Sequence, residues 1–162
     1  MKRNYKKGAA LAEVLVAVFI FSVILMVLIS ANNLYLKSAS SNISSAQAAY
    51  LAEEGIEAIH TIRDRSWTSF YALSTTTDLY LYFSATSSSW NLSSSATSTG
   101  IFTRKIRIYP VLRDNTSHQI STSTINTTND INTRYASSSV SWLDGGKTKS
   151  NSLTAYFSNL EN

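Results

Sequence analysis

From Ala9 to Ile29 the chain reads AALAEVLVAVFIFSVILMVLI, and only Glu13 and Ser22 interrupt its apolar character. A continuous run of this length predicts a helix able to cross about 30 Å of hydrocarbon. The pattern then becomes periodic. Ala48, Leu51, Ala52, Gly55, Ile56, Ile59 and Ile62 recur at intervals of three and four, which is one face of a helix, with Glu53, Glu54 and Glu57 mainly off it. The spacing predicts an amphipathic second half reaching about Arg63. Its weakest portion is Ser38 to Ser45, because Ser and Asn offer the backbone local hydrogen bonds that compete with helix; Asn32 and Asn33 are a second point of loosening.

Beyond the helix the period shortens to two. LYLYF (Leu79 to Phe83) is rich in strand formers, and in IFTRKIRIYPVL the residues Phe102, Ile106, Ile108 and Leu112 share one face. Pro110 lacks an N–H and so predicts an edge position or an end to pairing. Val140 and Trp142 alternate with polar residues, Asp144-Gly145-Gly146 supplies hairpin chemistry, and Leu153, Ala155 and Phe157 carry the alternation onward. Two Ser/Thr/Asn tracts, residues 84–100 and 115–130, read as solvated loops.

Charge changes this picture at one end only. The formal charge is +4, yet Lys2, Arg3, Lys6 and Lys7 all precede Gly8. The ten basic residues that remain of 14 equal the 10 acidic ones, so the rest of the chain is neutral. No further basic residue follows until Lys37, which predicts a cytoplasmic N-terminus and an exported remainder. The chain has no Cys, which excludes disulfides and thiolate metal sites.

Other chemistry is sparse. Gly145, Gly146, Lys147 and Thr148 mimic the tail of a phosphate-binding loop, but position 141 is Ser where the first Gly belongs. His60 and His118 have no metal-ligand spacing, and His60 reads as a helix-surface residue. Arg104, Lys105, Arg107 and Arg113, with Tyr109 nearby, form one basic cluster, read as a solvated strand face rather than a nucleic-acid site. No nucleophile, base and orienting acid assemble from spacing. The expectation is a non-enzyme with no cofactor, no metal and no nucleic-acid partner.

Glu13 is the residue that needs an explanation. A carboxylate deep in a bilayer costs on the order of 3 kcal/mol. Nearness to the headgroups and to the positive end of the helix dipole reduces that cost. A cut after Gly8 would do more, by creating an α-amine on Ala9 one helical turn from the carboxylate.

The stretch KKG followed by AALAEVLVAVFIF resembles the class III leader of type IV pilins and pseudopilins. AAYLAEEGIEAIHTIRDRSW resembles the second half of the long pilin helix, and SSVSWLDGGKTKSNSLTAYF resembles the closing strands of PilV-type minor pilins and type I pseudopilins. The first position after the cut departs from the pattern, since Ala9 stands where the family usually has Phe.

The resemblance implies an α+β pilin fold, a long N-terminal helix packed on a small antiparallel sheet. It divides the chain into a basic leader (1–8), a transmembrane and assembly helix (9–31), an amphipathic continuation (32–65) and an exported sheet domain (66–162). It implies cleavage between Gly8 and Ala9, N-methylation of Ala9, and pairing of Glu13 with a neighbouring subunit's N-terminal amine. The implied partners are other pilin subunits, a prepilin peptidase, pilus or type II secretion assembly machinery, and the membrane. The implied location is the bacterial cytoplasmic membrane, single-pass with the N-terminus inside, and then an extracytoplasmic or surface filament. The competing reading is a membrane-anchored binding module that never polymerises and keeps its leader.

Overall fold

A computed structural model of the chain describes residues 4–73 and 75–160. It divides into two compact units, residues 1–43 and 44–162. Helix α1 runs over Asn4–Arg65, so Asn32, Asn33 and the stretch from Ser38 to Ser45 are all helical. Low intrinsic propensity costs only tenths of a kcal/mol per residue, too little to interrupt a helix carried by strong formers on both sides. Arg63 and Arg65 occupy the last turn, where a cation suits the helix dipole.

Ser66 then takes an extended conformation, φ −167°, and caps a second helix that the sequence reading lacked. This is α2, Trp67–Tyr71, and the Ser66 Oγ accepts a hydrogen bond from the backbone N–H of Ser69. The short helix places Trp67 and Phe70 in the core.

The second unit contains an antiparallel sheet of β1 (Leu79–Ser84), β2 (Ser89–Ser93), β3 (Ser98–Thr99), β4 (Phe102–Asp114), β5 (Ile120–Ser121), β6 (Thr127–Asp144) and β7 (Lys147–Ser158). The main path is β2-β1-β4-β6-β7, with β3 and β5 each paired to β4. The fold is α+β, with the helix packed on the sheet as expected. Strands β6 and β7 are joined at Gly145-Gly146, with φ of 58° and 78°. Positive φ at both central residues is the two-residue turn whose twist matches flanking strands.

Alternation places Ile106 and Ile108 of β4 and Ala136, Ser138, Val140 and Trp142 of β6 toward the helix, all buried. They meet Ala48, Ala52, Ile56 and Ile59, with Phe70 and Phe157 closing one end. Fully burying a side chain such as Ile59 stabilises by about 1.5–3 kcal/mol. Small residues set the distance. A Cβ on Gly55 would lie 2.1 Å from Ser138 Oγ and 3.0 Å from Ser138 Cβ, so only a glycine lets the helix approach this closely.

The strands narrow one expectation and correct two. Pro110 lies in an interior strand rather than at an edge, but pairing does end there locally: it sits between the last residue paired to β1, Ile106, and the first paired to β5, Leu112, so its missing N–H interrupts no ladder on that side, and its ladder to β6 breaks directly after it. The β4–β6 register shifts between Pro110 and Leu112, which reverses the alternation and buries Val111 in place of Leu112. The tract 84–100 contains β2, where Trp90 and Leu92 pack against the core, and 115–130 contains β5 and the start of β6. Pairing with an existing strand supplies what polar sequence alone does not predict. Leu153 shares the face of Ala155 and Phe157 but stays 44% exposed on the outermost strand.

Gly55→Ala is expected to lower stability by about 1–3 kcal/mol through overpacking. Ser138→Ala is expected to be neutral or stabilising, because the Ser138 hydroxyl is buried without a hydrogen-bond partner. Urea unfolding of the full chain in detergent, followed by tryptophan fluorescence, checks both; a Gly55→Ala variant as stable as the parent would remove the close-approach argument.

Candidate functional site

The apolar part of α1 is a helix with no side of its own to bury. From Leu11 to Ile29 the large hydrophobic side chains are between 43% (Leu25) and 72% (Met26) exposed. Soluble monomers do not leave such a surface bare. The helix is long and apolar enough to cross a membrane, which makes it compatible with a membrane anchor.

Its polar side chains divide into two kinds. Ser22 Oγ donates to the Val18 carbonyl at 2.8 Å and Ser30 Oγ to the Met26 carbonyl at 2.9 Å. These hydroxyls are satisfied by the backbone one turn earlier and cost little in lipid. Glu13 is exposed and makes no hydrogen bond or ion pair among the described residues. Ala9 is likewise exposed, one turn before it. Lys2 and Arg3 lie outside the described residues. Lys6, Lys7 and Gly8 belong to the backbone of the first helical turns.

In the second unit the four residues of the basic cluster separate. Arg104 points toward the helix, where Nη1 donates to Glu54 and to the Leu51 carbonyl at 3.0 Å, and its guanidinium lies 5.5 Å from the Trp90 ring centre. Lys105 and Arg107 lie on the opposite face and share Asp78, at 2.8 and 2.5 Å. Arg113 pairs with Asp130 at 2.5 Å. Each cation thus has a carboxylate. The Lys105 hydrogen bond, helped by Arg107 and opposed by partial burial, holds the Asp78 pKa below the usual carboxylate value.

Asp130 was not singled out by sequence. It lies in the part of β6 between Asn129 and Arg134, where the ladder to β4 is broken. Burial opposes its charge, but hydrogen bonds from Thr133, Arg113 and the Asn132 backbone outweigh that and keep its pKa low. Arg134 was also missed. It is 5% exposed, its guanidinium carbon lies 3.6 Å from the Tyr71 ring centre, and Nη2 donates to the Tyr71 carbonyl. Extending the alternation of Val140 backward by twos would have found it on the buried face.

The remaining candidates take structural places. His60 is half-buried and tilted against Phe157, ring centres 4.6 Å apart, so it is more than a surface residue. His118 occupies a turn with φ 61°. Among the described residues no group of three His, Asp or Glu side chains is placed to hold a metal. Lys147 and Thr148 follow the hairpin turn into strand β7, where a phosphate-binding loop would lead into a helix.

Comparison with family models, curated proteins and solved structures returns no match for this chain.

The Asp130 network gives a pH prediction. A carboxyl whose pKa is depressed by folding adds stability that is present above its unfolded value, about 3.9, and is lost as pH falls through the folded value. Asp130→Asn should therefore cost about 1–2 kcal/mol at neutral pH, with the difference from the parent shrinking below about pH 4. Denaturant unfolding across that range measures it; a pH-independent difference would contradict the charge account.

Proposed function

We propose that this chain is a structural subunit, a minor pilin or pseudopilin, of a type IV pilus-like filament. It is made as a precursor in the bacterial cytoplasmic membrane, cut between Gly8 and Ala9 by a prepilin peptidase and N-methylated on Ala9. Pilus or type II secretion assembly machinery then packs it through its N-terminal helix with other pilin subunits. The observation that carries this reading is Glu13: one charged side chain, without a partner, on a helix whose other polar groups within Ala9–Ile29 are satisfied internally. The α+β arrangement of helix and sheet supports it as well.

The roles follow from electrostatics. In lipid, Glu13 is costly alone. In a dry bundle of helices, the cationic α-amine of a neighbouring Ala9 compensates it, and any other register leaves both charges buried and unpaired. Breaking a buried pair is far more costly than the pair is stabilising, so the interaction selects register. The exposed apolar side chains around it would lose lipid and gain helix neighbours at the same step. The leader charges Lys2, Arg3, Lys6 and Lys7 hold the N-terminus in the cytoplasm until the cut.

Glu13→Ala is expected to leave membrane insertion intact and to cut incorporation into sheared filaments at least tenfold, a loss of about 1.4 kcal/mol or more in assembly. Gly8→Leu is expected to leave the precursor uncut. Mass spectrometry of the N-terminal peptide from cells carrying the peptidase reads the second outcome directly. A parent chain that retains Met1 to Gly8 would instead favour the anchored, non-polymerising module.

A further inference from the structure

The sheet face away from the helix is built unlike its buried side. Strand register aligns Tyr109 of β4, Tyr135 of β6 and Tyr156 of β7 in one row across three strands. Their ring centres are 5.7 and 5.0 Å apart, and Tyr156 is 56% exposed. The following rows on the same face are Arg107, Ser137 and Thr154, and then Lys105, Ser139 and Ser152. The hydroxyls of Ser137, Ser139 and Ser152 make no hydrogen bond among the described residues.

Grooves lie on both sides of Tyr109. One, of about 440 Å³, has Leu112 and Ile120 beside the three tyrosines. The other, of about 310 Å³, has the three serines around the Asp78, Lys105 and Arg107 cluster. Aromatic side chains flank open hydroxyls and charge along one continuous strip. One carboxylate faces two cations there, so the strip keeps one uncompensated positive charge.

The geometry points to this strip as a binding site for an acidic oligosaccharide, a chain of pyranose units bearing carboxylate or sulfate. A pyranose presents an apolar C–H face, which stacks on a tyrosine ring, and a rim of hydroxyls, which needs donors and acceptors at close spacing. The tyrosine row supplies the first and the serine rows the second, with neighbouring strands about 4.8 Å apart. Arg107, held between Asp78 and Tyr109, presents a guanidinium fork suited to carboxylate or sulfate. Tyrosine and arginine also suit a protein partner, but the serines and Lys105 at the centre of the strip are residue types depleted at protein interfaces, and their hydroxyls and charge match a sugar rim instead. The inference goes beyond filament assembly and requires only that the sheet domain be intact.

The test is isothermal titration of the full chain, in a detergent without a sugar headgroup, with hyaluronan and heparin oligosaccharides and neutral cello-oligosaccharides of equal length. Saturable binding of at least one acidic oligomer is expected, tighter than the neutral one. Tyr156→Ala should weaken it about tenfold and Tyr156→Phe less than about threefold, since the ring is what stacks. Arg107→Gln should reduce acidic binding to the neutral level. The basic residues before Gly8 attract polyanions without any site, so the ring substitution decides. Binding unchanged in Tyr156→Ala and Arg107→Gln, or absent for both acidic oligomers, overturns the proposal.

Discussion

The close approach of helix to sheet at Gly55 and Ser138 sets the geometry of the second unit. With no Cβ on Gly55, the alanines one and two turns earlier, Ala52 and Ala48, can also lie flat against β4 and β6. That contact brings Arg104 within reach of Glu54 and fixes which face of each strand is dry. The strip of tyrosine and serine on the far face is the complement of this choice, because a residue facing away from the helix has no core to enter.

Charge is handled differently in the two units. In the second unit the cations of β4 find carboxylates within the same chain, and the apolar core accepts one buried arginine, Arg134, over a tyrosine ring. The membrane-compatible helix holds Glu13 with no such arrangement among the described residues. The proposed filament packing would supply the compensation that this carboxylate lacks within the described residues.

Legibility followed the strength of periodic pattern. The long helix, the β6–β7 hairpin at Gly145-Gly146 and the inward positions of β4 before Pro110 were readable, because apolar spacing and turn chemistry agree there. Other features were not. The register shift after Pro110 reverses parity; the proline marks a break in pairing but not the parity that follows it, and so Val111 displaced Leu112. Strand β2 hid in a serine tract, because its stability comes from β1 and from Trp90 on the core. Of the site features, Glu13 stood out from the sequence alone. The tyrosine row did not, since it exists only when three distant strands are brought into register.

Strand β7 gives the second unit an order of completion. Phe157 touches Phe70 and His60 in the core, yet it belongs to the last strand and is far from both along the chain. A chain that emerges helix first must therefore present Ile59 and Phe70 to water until β6 and β7 have followed and paired. Non-local closure of this kind is slow compared with helix formation. The helix half and α2 thus wait as an open hydrophobic template, and the interval ends only when the hairpin at Gly145 folds back and seats Phe157.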